Sequence, residues 1–261
     1  MSVISLTTEW KEEDFYVGAL KGAMLSTNPD AHIIDITHNI TRYSIIQAAF
    51  IIKSCYESFP KGSVHIICVN SEQTKENNHV AVEHNGHFFI CTDNGILGLL
   101  FDEKPEKIIK LNNPTEFSTF PELNVFSKAA SHLISKKSID ELGVIQTEIN
   151  LQIGFLPLID EHDDETTLSG KVIYIDSYEN AITNIDKELF YKTMRERKFS
   201  IFLQNNNHPI TKINNAYSDT EEGELLAIFN SLNLLEIAVR KSSVKQFFKL
   251  DSNSQIRIIF S

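Results

Sequence analysis

The hydrophobic pattern of this chain has two regimes that meet near Gly143. In the first, short apolar runs alternate with stretches of helical period. Val3–Thr7 predicts a strand, and Asp14 caps a helix running to Thr27 with Tyr16, Leu20, Ala23 and Met24 on one face. Asn28-Pro29 ends that helix, and Ala31–Ile36 follows as a second strand. Ser44 caps another helix, in which Ile45, Ala48, Ala49, Ile52, Tyr56 and Phe59 recur at helical spacing up to Pro60. Ser63–Val69 is β-branched and almost wholly apolar, the pattern of a strand buried on both faces. A polar run, Asn70–Asn78, follows it at once. Val80–Glu83 and Phe88–Thr92 flank Asn85-Gly86, a hairpin signal. Asp93-Asn94-Gly95 opens a short helix to Phe101, Lys107–Leu111 predicts a strand, and a helix from Asn124 carries Phe126, Ala129, Ala130 and Leu133. Helices alternating with buried strands predict an α/β N-terminal domain with a largely parallel sheet. In such sheets the ligand crevice lies beyond the carboxyl ends of the strands, which directs attention to Asn70–Asn78.

Beyond Gly143 the pieces are short and strand-like: Lys171–Asp176, Phe199–Leu203, Ile210–Ile213, Leu225–Phe229, Leu235–Val239 and Ile256–Phe260, interrupted by one helix at Lys187–Arg195. Many short strands with turns between them predict an all-β C-terminal barrel domain. The expected division is 1–145 for the α/β domain, 146–169 for a linker and 170–261 for the barrel. The acidic run Asp160-Glu-His-Asp-Asp-Glu165 fits a solvated linker better than a metal site.

Composition narrows the function classes. Apolar residues make up 42% and charged residues 23% of the 261, the balance of an ordinary globular chain. A formal net charge of -11 disfavours contact with a phosphate backbone, and Arg195-Glu-Arg197-Lys198 is broken by an acid. Nucleic acid is therefore not an expected partner. The 3 cysteines, Cys55, Cys68 and Cys91, have no metal or redox spacing, and Cys68 and Cys91 fit buried thiols. There is no signal-peptide pattern and no apolar run near the roughly 20 residues that span a bilayer. A cytoplasmic protein with no membrane partner and no metal is expected.

A set of stretches in fixed order carries a family resemblance: Tyr16-Val-Gly-Ala-Leu-Lys-Gly22, Asp35-Ile-Thr-His-Asn-Ile40, Phe59-Pro-Lys-Gly-Ser-Val-His65, Asp93-Asn-Gly-Ile-Leu97, Phe126 to Leu133, Ile175 to Ile185, Asn230-Ser231 and Leu235-Glu-Ile-Ala238. Through them the chain resembles the S-adenosylmethionine hydroxide adenosyltransferases, relatives of fluorinases and chlorinases, over nearly its whole length. The resemblance implies an α/β domain followed by a β-barrel. It also implies a homotrimer with sites between the N-domain of one subunit and the C-domain of the next. The implied reaction is displacement at the 5′ carbon of S-adenosylmethionine by water, giving adenosine and methionine. S-adenosylmethionine is then substrate or ligand, and no further cofactor is implied.

Carried over residue by residue, the resemblance assigns Glu9 to the ribose hydroxyls, Asp14 to an acid near the methionine end, Tyr43 to an aromatic lining the substrate and Phe120 to a ribose contact. Asn94, in the Asn-Gly motif, falls near the pocket. In the second domain Asp176 takes the methionine ammonium, Tyr178 and Tyr217 stack on adenine, Asn180 reads its edge and Ser231 meets the methionine carboxylate. Leu232 stands where halogenases place an Arg. The hydrolases' water-activating Asp, Arg and His fall on Asn70, Asn77 and Pro121, none of which is ionisable. The usual Pro-Gly-Val-Gly turn is Ser71-Glu72-Gln73-Thr74.

Plainer readings stand beside these. His38 and His65 fit satisfied structural histidines, while His79, His84 and His87 around the hairpin are expected to be exposed. Glu122, two residues past Phe120, is a candidate substitute base or a solvent-facing loop acid. Tyr178 and Tyr217 would otherwise be barrel core. Three functions compete: an adenosine-forming hydrolase, a catalytically inactive homologue that binds S-adenosylmethionine or adenosine, and a structural trimer with a vestigial pocket. Halogenation ranks low, because the long fluorinase insertion before the Asn-Gly motif is missing.

Overall fold

The computed structural model describes residues 3–112, 119–162, 165–204 and 208–261, in two units, Met1–Gly154 and Phe155–Ser261. The first contains β1 (Val3–Thr8), α1 (Phe15–Thr27), β2 (His32–Thr37), α2 (Ile45–Lys53), β3 (Val64–Cys68), β4 (His79–His84) and β5 (His87–Thr92). It continues with α3 (Ile96–Leu100), β6 (Lys107–Leu111), α4 (Ser127–Ile134) and β7 (Gly143–Ile145). Asp14 and Ser44 cap α1 and α2 with their side chains, as expected of these residue types.

The seven-stranded sheet has the order β2-β1-β3-β5-β4-β6-β7. The pairings β2-β1, β1-β3 and β3-β5 are parallel. From β5 onward, β5-β4, β4-β6 and β6-β7 are antiparallel. The largely parallel sheet expected from the pattern is thus parallel only in its first half. The cause is local: Asn85 (φ 49°) and Gly86 (φ 72°) both turn left-handed, and a two-residue turn of this kind forces an antiparallel hairpin.

β3 is buried at every position because the sheet is covered on both faces. Ile66 and Cys68 pack with Leu20 and Met24 of α1, with Ala130 of α4 and with Phe126 just before it. The intervening Ile67 packs with Ala48 and Ile52 of α2 and with Leu97 and Leu100 of α3. Alternate side chains thus enter different cores, which reads in sequence as an unbroken apolar run.

The second unit comprises β8 (Leu158–His162), β9 (Glu165–Ile175), β10 (Ala181–Asp186), α5 (Lys187–Met194), β11 (Phe199–Leu203), β12 (Ile213–Asn214), β13 (Leu225–Phe229), β14 (Leu234–Val239), α6 (Val244–Phe248) and β15 (Gln255–Phe260). Its sheet, ordered β11-β15-β9-β10-β14-β13-β12 with β8 added on β9, curls into a half-barrel. Leu168, Phe190, Ile237, Ile258 and Phe260 fill the concave core. The unit is not all-β: α5 and α6 supply Phe190 and Val244 to that core. Part of the expected linker is strand β8, paired with β9. Of the acidic run, Asp163 and Asp164 lie outside the described residues.

Gly143 opens β7 against β6, and a Cβ there would sit 1.9 Å from the Lys110 carbonyl oxygen. A backbone atom cannot yield as a side chain can. Gly143→Ala is therefore expected to cost about 1–3 kcal/mol, read as a lower urea midpoint at unchanged slope.

Candidate functional site

β3 ends in a residue that cannot continue it. Asn70 is left-handed at φ 47°, and its backbone is held at both ends by side chains. Its N–H donates to Glu9 Oε1 at 2.9 Å, and its carbonyl accepts from Asn94 Nδ2 at 2.9 Å. The other Glu9 oxygen accepts the backbone N–H of Tyr43, which is also left-handed at φ 66°. One carboxylate therefore fixes two strained non-glycine residues from two different loops. The left-handed conformation costs about 1–2 kcal/mol per residue, and a hydrogen bond to a charged group returns about 1.5–3 kcal/mol. The clamp outweighs the strain. Glu9 thus acts first on the protein's own amides, while Tyr43 is 70% exposed.

The next residue, Ser71, carries the second contact of the loop. Its hydroxyl donates to Glu122 Oε1, and its carbonyl accepts from His79 Nε2 at 2.9 Å and from the Thr92 hydroxyl at 2.9 Å. Glu122 is not a solvent-facing loop acid. It is buried in the first turn of a π-helical segment, Glu122–Phe126, that leads into α4. Burial pushes its carboxyl above the usual range, opposed by the Ser71 hydrogen bond and reinforced by the neighbouring charge of Glu9. Inserted π turns of this kind recur at functional sites because they re-aim side chains.

Asn77 has a different environment. Its Oδ1 accepts from Asn150 Nδ2 at 3.2 Å and its N–H donates to the Thr74 hydroxyl. Asn150 also donates to the Asp93 carboxylate and carbonyl, and Gln146 donates to Asp93 at 2.7 Å. The Asp93-Asn94 pair therefore faces two ways: Asn94 ties down the end of β3, and Asp93 anchors the 146–150 segment. Burial raises the Asp93 carboxyl against the two donors that lower it. Gly95 follows at φ 98°, a conformation that suits glycine at the start of α3.

Phe120 lies edge-on to Trp10 and Tyr16, with ring centroids 5.3 and 5.0 Å apart. Asp14 caps α1 through the Phe15 N–H at 2.8 Å. Pro121 caps the π-helical turn and carries no polar side chain.

The histidines divide differently from the sequence expectation. His38 meets the Thr8 hydroxyl at 3.0 Å and Asp35 at 3.1 Å, and His65 meets the Ser5 hydroxyl at 2.6 Å. Both are buried structural residues, as expected. His79, His84 and His87 are also buried, contrary to the expectation of exposure, because the rings of Phe126, Phe101 and Tyr56 pack against them. Desolvation takes His65 down to about 3, so it packs as a neutral ring. Cys68 and Cys91 are buried free thiols, and burial raises both.

In the second unit a separate polar cluster gathers on β10, β14 and the loops beside them. Asp176 accepts the N–H groups of Tyr178 and Asn180 at 2.9 and 2.8 Å, which closes the β9–β10 turn. Asn180 Nδ2 reaches Asp176 Oδ2 at 3.3 Å and Glu236 Oε1 at 3.1 Å. Glu236 also accepts from the Tyr217 hydroxyl at 2.7 Å and from Asn230 Nδ2 at 3.2 Å. Burial, then the Glu236 contact, pushes the Tyr217 hydroxyl well above its ordinary range. Tyr178 is 79% exposed and Tyr217 44%, so neither belongs to the barrel core. Ser231 is exposed beside Asn230. Sequence reasoning passed over Glu236, although a lone acid inside the apolar run Leu234–Val239 marks it as a buried group with partners. Among the described residues no group of three or more His, Cys, Asp or Glu side chains is placed to hold a metal.

Comparison with known proteins bears on the whole chain. Residues 4–143 match the SAM hydroxide adenosyltransferase N-terminal domain and 170–257 match its C-terminal domain. An (R)-S-adenosyl-L-methionine hydrolase from Methanocaldococcus jannaschii is 27% identical over 270 residues, covering 100% of this chain and 97% of its own. One of the same name from Thermus thermophilus is 22% identical over 273 residues, covering 99% and 100%. A crystal structure of an uncharacterised conserved protein from Thermotoga maritima superposes with a TM-score of 0.86 at 22% identity, over 99% of each chain, and supports the fold.

The Glu9 clamp makes a local prediction. Glu9→Ala is expected to speed amide hydrogen exchange at Tyr43 and Asn70 by roughly tenfold or more, with the β4–β5 ladder unchanged.

Proposed function

The chain belongs to the S-adenosylmethionine hydroxide adenosyltransferase family, and from that premise we propose that it transfers the adenosyl group of S-adenosylmethionine to water, giving adenosine and methionine. The observation that carries this reading is the buried Glu122 carboxyl beside Ser71, the residue after position 70, where the family's hydrolases keep their acid. Asn70 and Asn77 can hydrogen-bond a water but cannot accept its proton. Glu122 can. Positions 70, 77 and 121 are then a replaced triad, with the proton acceptor moved to the residue that follows Pro121, at the start of the π-helical segment.

In the proposed reaction a water oxygen bonds to C5′ as the C5′–S bond breaks. The bonding pair goes to sulfur, methionine leaves as a neutral thioether, and the water proton passes to Glu122. The sulfonium is already a good leaving group, so the protein's work is to position and desolvate the water and to accept its proton. In the C-terminal unit, Asp176 receives the methionine ammonium, Tyr178 and Tyr217 take the adenine between their exposed rings, Asn180 reads its edge and Ser231 meets the carboxylate. In the N-terminal unit, Glu9, Asp14, Tyr43, Asn94 and Phe120 border the ribose and the loop that holds the water. A homotrimer is part of this reading. The alternative, a binding homologue without turnover, draws on the neutrality of Asn70 and Asn77 and on the commitment of the Asn77 amide to Asn150.

The relatives are named for (R)-S-adenosyl-L-methionine, so that form and the S form are both offered to the purified protein, with adenosine and methionine followed by chromatography. Product above the buffer control is expected. Binding seen by calorimetry without product establishes the alternative, and absence of both overturns the adenosyl-transfer reading and leaves a structural trimer with a vestigial pocket.

The pH profile tests the base. A proton acceptor works deprotonated, and burial raises the Glu122 carboxyl, so activity is expected to fall with acid at a pH above the ordinary glutamate value of about 4.3. Glu122→Gln should remove that limb and lower turnover at least about 100-fold. A profile unchanged by this substitution excludes Glu122 as the base.

A further inference from the structure

The C-terminal cluster contains a buried carboxylate that the reaction above does not use. Glu236 is 3% exposed on β14, paired with Ile182 of β10 on one side and Ile228 of β13 on the other. Among the described residues its partners are neutral donors: Asn180 Nδ2 and the Tyr217 hydroxyl on Oε1, and Asn230 Nδ2 on Oε2. A buried acid with no counter-cation is costly unless each donor is aimed at it. The donors are therefore fixed by the acid as firmly as the acid is fixed by them.

The consequence falls on Asn180. A primary amide has two N–H donors on one end and an acceptor oxygen on the other. The Asn180 nitrogen lies 3.3 Å from Asp176 Oδ2 and 3.1 Å from Glu236 Oε1, so both of its hydrogens face carboxylate oxygens. Turning the amide over would lose both bonds and set Oδ1 against two like-charged oxygens. The orientation is settled by this chemistry, and the group left to meet a ligand is the carbonyl oxygen, an acceptor only.

We propose that Glu236 is a positioning residue which locks the Asn180 amide with its oxygen outward, so that the C-terminal unit selects purine nucleosides bearing a donor at C6 over those bearing an acceptor. This rests on the reading of the site as a purine nucleoside cradle and goes beyond it by naming what sets its base specificity. A 6-amino purine offers its exocyclic N–H to Oδ1. A 6-oxo purine presents oxygen to oxygen, and with a rigid framework behind Asn180 the mismatch cannot be relieved by rotation. Sites built around one hydrogen-bond polarity reject the opposite polarity strongly, because the buried group is left unpaired.

The test is calorimetric titration of the intact protein with adenosine, inosine and the purine riboside that lacks a 6-substituent. The expected order of affinity is adenosine, then purine riboside, then inosine, with at least about a tenfold gap between the first and last. Glu236→Gln removes one of the two carboxylates that hold the Asn180 nitrogen and introduces an amide able to donate toward Oδ1, which loosens the orientation, and the adenosine-to-inosine ratio should shrink to about threefold or less. Tyr217→Phe leaves the Asn180 bonds intact and should weaken both nucleosides by a common factor, preserving the ratio. Equal weakening of both nucleosides in Glu236→Gln, with the ratio retained, reduces Glu236 to a structural part and overturns the proposal. Should that variant fail to fold, the order on the unmodified protein still decides: inosine binding as well as purine riboside or better is incompatible with an outward oxygen. If none of the three binds, the nucleoside reading falls and the selectivity with it.

Discussion

The backbone at the end of β3 has to be satisfied by something other than a strand partner. Asn70 turns left-handed there, and a half-buried chain reversal leaves an N–H and a C=O that would each cost free energy if orphaned. Glu9 takes the first and Asn94 the second. Because Glu9 also holds Tyr43, this one carboxylate joins the end of β1, the loop after β2 and the end of β3. The polar loop from Asn70 to Asn78 begins from that fixed point.

The same solution recurs. Glu9, Asp93, Glu122 and Glu236 are carboxylates held mainly by amides and hydroxyls rather than by Lys or Arg. Neutral donors satisfy the oxygens without cancelling the charge, so such a group keeps its field and its capacity to accept a proton. Ion pairs occur instead on exposed surfaces, as with Lys53 and Asp102 or Lys241 and Glu222. Exposed pairs of that kind contribute little to stability. The interior of each unit is thus electrostatically negative in a few chosen places and otherwise apolar.

Much of this was legible in the residues. The strands at Lys107–Leu111, Phe199–Leu203 and Leu225–Phe229, and the helix caps at Asp14 and Ser44, follow from period and capping chemistry alone. The mixed character of the first sheet was not, because strand direction depends on which neighbour a strand joins and not on its own pattern. The buried state of His79, His84 and His87 was missed for a related reason: polar residues near a turn read as solvated until the helices that cover them are placed. Glu122 was ambiguous for want of the π-helical turn, which leaves no mark in hydrophobic spacing. Glu236 was the readable signal passed over, an acid inside a buried strand.

The hairpin that breaks the parallel sheet has a consequence for how this scaffold can change. β3 and β4 bracket the polar loop, yet they are not paired with each other; β5 lies between them and is bonded to both. Residues can be exchanged, added or removed between Asn70 and Asn78 without shifting either ladder by a position. The loop can therefore vary in sequence and length while the two ladders beside it keep their register, and such variation leaves almost no trace in the architecture.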